Sequence, residues 1–596
     1  RDGIVAGSIR SRVPQYLSFS EKYPRRLDGA LLNSAEMDRW ILAGTSAAEF
    51  TAMATELQGR FSDEVIERAL RQMPSEWYAV NGAGTAAALR TRRAGLVDYV
   101  MRVYAFYARD VDVHATDGGE RVTVARGPDG TVDVMIAPAA AATEPYYRRR
   151  FAPSQTDEVR IFLHGGDDRV ERTGPPGGPI TIRVVAGGGR DVVDDSASGG
   201  TDVWRDAGEL QVTRGRATNV RQEAWHNPAS VDDASWIEPR SYGHWTVAGP
   251  SVGYAPDVRV YLGYGFTRTS WGFRTEPFKS VQTLNGVVAT GDRTAKLEYV
   301  GTFNRPASRL GYGLHLFGSG IESYNYFGLG NDSPAIRNRE RYRTRETVFF
   351  LTPALRYHAG RRLDAFVGPD LRLSSTPTSA STLLAVQSPI GAGRFGRLAL
   401  RGGLDYDSRE QAEIAAPADY TKTSFGSESA THVSGIKIHA SGFVVPTVWD
   451  VESQYSGLNG NVAGYLGNPR VHLAARLGAR KLWGDYAWYD AATVGGVDNR
   501  GFSSRRFAGD SSLTGTVSLR AWLGEASLPI VALRLGVVGF SDVGRVWLDG
   551  ESSRTWHTSF GGGLLVQPVG APFTLHAIAA NSKEGTRFYA GLGYPF

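Results

Sequence analysis

From about Ser241 to Phe596 one pattern repeats, an apolar side chain at every second position, and it limits the fold more than any other feature. Leu297, Tyr299, Gly301 and Phe303 alternate with Lys296, Glu298 and Thr302, and Leu310, Tyr312, Leu314 and Leu316 with Gly311, Gly313 and His315. Leu398, Leu400, Leu404 and Tyr406 alternate with Arg397, Arg401 and Asp405; Leu473, Ala475 and Leu477 alternate with His472 and Arg476. Side chains along a strand point to opposite faces, so each segment has one apolar face and one face of charge and glycine. A soluble sandwich and a membrane barrel share this alternation. Three features favour the barrel. The segments run ~10 residues or more, about one tilted bilayer crossing. Short turns alternate with long polar loops such as 374–395 and 407–432, and aromatic residues gather at segment ends. At roughly 22 residues per strand and connection, the region predicts about sixteen strands.

Composition narrows the choice further. No stretch of the 596 residues approaches the ~18 apolar residues of a transmembrane helix, which excludes a helical span and leaves a barrel open. The absence of Cys excludes disulfides and Cys-ligated zinc or iron–sulfur, and suits a chain that crosses an oxidising compartment. A net charge of +5 is small for this length and gives no support to nucleic acid as a partner. The sequence starts at Arg1 without Met or a leader, so the expectation is a processed, trimmed or partial chain.

Residues 1–150 read as mostly helical, the tail of a larger upstream domain. Ser46 and Glu49 form a capping box for a helix through about Gly59, Asn33 and Glu36 offer a similar start, and Ser62 caps DEVIERALRQM. A further helix is predicted over TAAALRTRRAGLVDYVMRVYAFYA. Asp110, Asp112 and His114 would share one strand face, as metal ligands or, more simply, as a solvated edge. Residues 151–240 read as a small solenoid-like β-domain. Val159, Ile161 and Leu163, then Ile180, Ile182 and Val184, face inward, and each strand precedes a Gly-x-Asp-x-apolar step. The steps place Asp168, Asp191 and Asp202, which could bind calcium as in calcium-binding β-helix repeats or could simply cap turns.

The densest motifs lie after residue 495. Arg500-Gly501-Phe502 sits in a long loop, Phe540-Ser541-Asp542-Val543-Gly544 follows in a strand, and the chain ends GTRFYAGLGYPF. Five strands are predicted after the loop, at about 512–524, 531–547, 555–567, 571–580 and 585–596, with the Phe-x-Asp-x-Gly motif on the second. With RFAGD between, this series resembles the bacterial surface antigen family, the barrels of the BamA, TamA and two-partner secretion type. The resemblance implies that the Arg500 loop folds into the lumen and is latched there by Arg500, Gly501, Phe502, Phe540, Asp542 and Gly544. It implies that Phe588, Tyr594 and Phe596 form the terminal insertion signal. It further implies a barrel in the outer membrane of a diderm bacterium, with the N-terminal region periplasmic. The implied partners are outer-membrane lipid and lipopolysaccharide, the barrel assembly machinery during biogenesis, and a polypeptide substrate to be inserted or translocated. The sequence departs from the family at Asn499, where an aliphatic residue is usual, and in having no POTRA-like repeats before residue 240. The alternative is a membrane anchor for an upstream, metallophosphoesterase-like enzyme domain, since residues 1–596 themselves show no active site.

Overall fold

A computed structural model describes residues 19–25, 27–31, 34–140, 144–222, 241–255, 259–275, 278–289, 294–306, 308–334, 339–360, 362–378, 381–409, 434–468, 470–527, 532–568 and 574–592. The chain forms two compact units, Arg1–Pro239 and Arg240–Phe596.

The first unit opens with helices and continues as a two-sheet solenoid. Ser46 and Glu49 close the capping box on the helix Ala47–Arg60, and the Ser62 hydroxyl accepts from Val65 N at the start of Asp63–Leu70. The expected helix 85–108 is two helices, Ser75–Ala94 and Leu96–Ala108. Gly95, with φ −94° and ψ 11°, leaves helical geometry and separates them. The capping site expected at Asn33 lies outside the described residues.

Helix ends at Ala108. Asp110, Asp112 and His114 lie on a strand as expected, but the strands continue through the rest of the region expected to be mostly helical to 150: β1 (Asp110–His114), β2 (Glu120–Arg126), β3 (Val132–Pro138) and β4 (Tyr147–Phe151). Their valines fall at every second position, as in Val111/Val113, Val122/Val124 and Val132/Val134, and that period buries one strand face. The chain then swings between two sheets through β5 (Glu158–Phe162), β6 (Arg169–Thr173), β7 (Thr181–Ala186) and β8 (Arg190–Asp194). It continues through β9 (Thr201–Arg205), β10 (Glu209–Thr213) and β11 (Asn219–Arg221). One sheet runs β1-β5-β7-β9-β11 and the other β10-β8-β6-β2-β3-β4, with every pairing parallel except β2–β3 and β3–β4. Val159 pairs with Ile182, Ile182 with Thr201, and Asp202 with Asn219, so successive coils shorten. Val159, Ile161, Leu163, Ile180, Ile182 and Val184 are all buried between the sheets. Each such side chain contributes about 1.5–3 kcal/mol of hydrophobic stabilisation. At the corner, a Cβ on Gly187 would fall 1.5 Å from the His164 carbonyl oxygen, so only glycine fits where one coil lies on the next.

The second unit is one sixteen-stranded antiparallel sheet in which every strand pairs with its neighbour in the chain. It begins with β12 (His244–Ala255), β13 (Arg259–Ser270), β14 (Ser280–Ala289), β15 (Thr294–Asn304), β16 (Leu310–Asn325) and β17 (Arg343–His358). Next come β18 (Leu363–Ser375), β19 (Arg394–Asp407), β20 (Gly435–Val445), β21 (Tyr455–Gly467) and β22 (Val471–Trp483). After a long loop that holds the small hairpin β23 (Ala492–Val494) and β24 (Phe507–Gly509), the sheet resumes with β25 (Ser511–Ser527) and β26 (Ala532–Trp547). It ends with β27 (His557–Pro568), β28 (Leu575–Ser582) and β29 (Gly585–Leu592). Among the described residues no pairing joins β12 to β29.

The two faces of this sheet differ sharply. Leu297, Leu310, Leu400, Leu404, Leu473 and Leu477 are exposed, while Glu298, His315, Arg397 and His472 on the alternate positions are buried. Apolar side chains point outward and charges inward, the reverse of a soluble sandwich, whose apolar faces meet. The loop 374–395 leaves one end of the sheet, between β18 and β19, and carries a short helix, Leu383–Gln387. The loop expected at 407–432 leaves the opposite end of β19, and its residues 410–432 lie outside the described residues.

Candidate functional site

The inner face is filled by the loop 484–510, and its position follows from what its residues need. The loop climbs through a single turn at Trp488–Asp490 and then through β23, which pairs with β24 from Ala492↔Gly509 to Val494↔Phe507. That hairpin presents residues 495–506 as its tip. Arg500, 2% exposed, donates to Asp542 from its backbone N (2.9 Å), Nε (2.9 Å) and Nη2 (2.6 Å). A guanidinium withdrawn from water needs a carboxylate in such two-pronged geometry. Its Cζ also stands 3.5 Å from the centroid of the Phe540 ring, and Tyr589 donates its hydroxyl to the Arg500 carbonyl at 2.6 Å.

The neighbours are as closely fixed. Gly501 N donates to Ser559 Oγ, and the Gly501 carbonyl accepts from Ser582 Oγ and Arg587 Nε. A Cβ on Gly501 would lie 2.4 Å from the Ser559 Cβ and 2.6 Å from the Ser582 Cβ. Phe502 is fully buried with Val494, Phe507 and Val546. Gly544 makes room for Val494, whose Cγ1 would sit 2.7 Å from an added Cβ. All six residues expected in the latch therefore converge on one wall. Asn499, the departure from the family pattern, is buried here too. Its Nδ2 donates to the His557 carbonyl and its Oδ1 accepts from Ser559 Oγ, both at 2.7 Å, so an amide is satisfied where an aliphatic group would only pack.

Other anchors carry no motif. Asp490, at the foot of the loop, accepts from Tyr455 Oη (2.9 Å) and lies 3.1 Å from Arg397 Nε, and Trp488 Nε1 donates to the Gly391 carbonyl. Arg506 donates to Glu584 and to the carbonyls of Ser333 and Pro334. Asn331, fully buried, donates to Glu551, Ser553 and Thr555 and accepts from Val546 N, while its neighbour Gly330 bonds β24 at Ala508. RFAGD flagged the Arg506 segment; Asp490 and Asn331 sit in loops whose partners are far off in sequence, and no periodicity marks them.

Of the terminal residues, Phe588 faces outward and is 81% exposed; Tyr594 and Phe596 lie outside the described residues.

In the first unit the acidic residues divide. Asp168 Oδ1 accepts from Glu120 N (2.7 Å), and Asp191 accepts from Asp168 N (3.2 Å) and Gly187 N (2.9 Å), so both cap the corners of stacked coils. Burial raises both carboxyls, Asp168 to about 8. Asp202 stands elsewhere, on β9, bonded to Arg183 and Asn219. Asp110, Asp112 and His114 do share the outer face of β1, but Asp112 is buried beside Arg160, and His114 Nδ1 lies 2.9 Å from His164 Nε2. Burial, then the neighbouring His164, lowers the His114 imidazole to about 4. Among the described residues no group of three or more His, Asp or Glu side chains gathers to hold a metal ion.

No protein-family model matches the chain, and no curated protein does. Among solved structures it is similar to BamA from Haemophilus ducreyi lacking POTRA domains 1-3, at 15% identity and TM-score 0.40, over 60% of this chain and 70% of that one. The chain is also similar to CdiB. The Escherichia coli protein matches at 12% identity and TM-score 0.37, over 59% of this chain and 62% of that one. The Acinetobacter baumannii protein matches at 11% and 0.32, over 59% of each.

Proposed function

We propose that residues 240–596 form a β-barrel in the outer membrane of a diderm bacterium, with the N-terminal unit on the periplasmic side, and that it inserts or translocates polypeptide. The observation that carries this reading is the inverted sheet, apolar outside and charged inside. An outward belt of leucines is stable only against lipid, and a strand in lipid cannot leave its backbone groups bare. A seam between the first and last strands would offer an edge that an incoming strand can pair with, or an exit through which it can leave. The Arg500 loop acts as a latch in the lumen, holding β26, β27, β28 and β29 together through Asp542, Ser559, Ser582 and Tyr589.

The test is reconstitution of the full chain in liposomes, followed by addition of a urea-unfolded outer-membrane β-barrel polypeptide. Protease-protected, folded substrate should accumulate faster than in empty liposomes. No acceleration, from a chain that itself runs as a heat-modifiable membrane protein, would remove polypeptide handling and leave the barrel. Recovery as a soluble monomer without detergent would remove both.

A further inference from the structure

At one end of the outward face, between β16 and β20, the leucine belt gives way to basic and hydroxyl groups above a crevice. The register break between Ser319 and Glu322 turns β16 over, so that Glu322 meets Glu346 on the inner side while Ser323 meets Arg345, and Asn325 meets Arg343, on the outer side. Thr347, Ser375 and Arg394 stand in one row across β17, β18 and β19. Arg345 and Arg394 are exposed, and Glu346 is buried. The outward positions of these strands at this end carry three arginines and no carboxylate.

Just below this row the sheet steps down. β20 ends at Val445 and pairs with β19 only from Leu400↔Val444 downward, so β19 from Arg394 to Ala399 has no strand on that side. The chain after β20 folds back over the step. Asp450 Oδ2 accepts from Gly396 N at 2.7 Å. Trp449, at φ 58° and largely exposed, stands over Gly396, with Cε3 3.6 Å from where a Cβ would be. The result is an open crevice of about 690 Å³ with Phe349, Leu373 and Trp449 on its walls and Thr347, Ser375 and Arg394 at its mouth. Its volume is that of a site for one small ligand.

We infer that this step binds a phosphate-bearing acylated lipid, with an acyl chain against Phe349, Leu373 and Trp449 and the phosphate on Arg345 and Arg394. The inference rests on the membrane reading of the sheet. A guanidinium holds phosphate by paired charge-assisted hydrogen bonds, and an indole at the margin of an apolar belt suits the headgroup level.

The experiment is native mass spectrometry of the full chain released from detergent after incubation with one of three probes: diphosphorylated lipid A, its dephosphorylated form, or phosphatidylcholine. The diphosphorylated lipid should remain bound, with the other two at least ~10-fold weaker, a difference of about 1.4 kcal/mol. The double variant Arg345→Gln/Arg394→Gln should lose that preference, Ser375→Trp should block retention of all three by filling the crevice mouth, and Arg554→Gln, in the exposed loop 548–556, should change nothing. Equal retention of the three lipids, or full retention by the double variant, overturns the site while the barrel stands. A chain that never enters detergent micelles or bilayers overturns the membrane reading and the site with it.

Discussion

Arg500 reaches Asp542 three times, through its backbone N, Nε and Nη2, although 42 residues separate them in the chain. One carboxylate thus fixes both the path of the loop and the charge at its tip. Removing either partner strands the other in a buried site, at a cost of about 3–5 kcal/mol of loop anchoring. Arg500→Ala and Asp542→Ala should each raise protease sensitivity in 484–510, and the double variant should be scarcely worse than either. Fully additive cleavage rates would contradict the pairing.

A second, independent anchor is expected at the foot of the loop. Asp490→Ala removes the acceptor of Tyr455 and one partner of Arg397, which keeps Asp370 at 3.3 Å. The loss should be smaller, about 1–3 kcal/mol, because a charged partner remains. Asp490 is held by Tyr455 and Arg397 and Arg500 by Asp542, different residues, so their effects should add to within about 0.5 kcal/mol. Hydrogen exchange of the loop amides in the single and double variants measures both values.

The solenoid should weaken as pH rises. Asp168 carries a folded-state value of about 8 against a reference of 3.8, so its contribution is complete in acid and is lost as pH passes through the folded value. His114 acts in the opposite sense. Its lowered value, about 4 against 6.5, removes stability as pH falls through that interval. Between pH ~6.5 and 8 the pair Asp168 and Asp191, both raised by burial, carries the dependence, since an unperturbed histidine is already neutral there. Exchange protection in 110–222 should therefore fall from pH 6.5 to 8.5 in the native chain and stay flat in the double variant Asp168→Asn/Asp191→Asn. An unchanged slope in the variant would locate the effect elsewhere.

Charge on the outward belt should be costly. Leu400→Arg, on an exposed position of β19, is expected to lose about 2–4 kcal/mol if it lies near the bilayer midplane. Phe588→Asp should reduce membrane-inserted, heat-modifiable protein far more than a charge change at Arg1. Equal yields of the variants would show that the belt does not face lipid.

Much of the sheet unit was legible because strand alternation is local. Leu297, Leu310, Leu400 and Leu473 needed only their neighbours to show which way they face, and the segment spacing was enough to count sixteen strands. The Arg500 and Asp542 motifs were visible because each lies inside a short, dense signature. The start of the solenoid was obscured, since Val111 and Val113 follow a helical stretch without a turn signal and the long β2–β4 excursion hides the coil repeat. Asp490, Asn331 and Glu584 were illegible for a different reason. Each is an ordinary polar residue in a loop, and only the closing of distant strands makes it a partner.

The shortening of the solenoid coils has its own consequence. A stack of parallel strands is an open template, and a last coil equal in size to the others would accept another chain edge to edge. Here the coil that starts at Thr201 returns at Asn219 to a strand of three residues, β11. Its rung is too short to seed a full-width copy. Among the described residues the taper therefore works as a terminator, narrowing the template that a fold made of stackable units would offer to another chain.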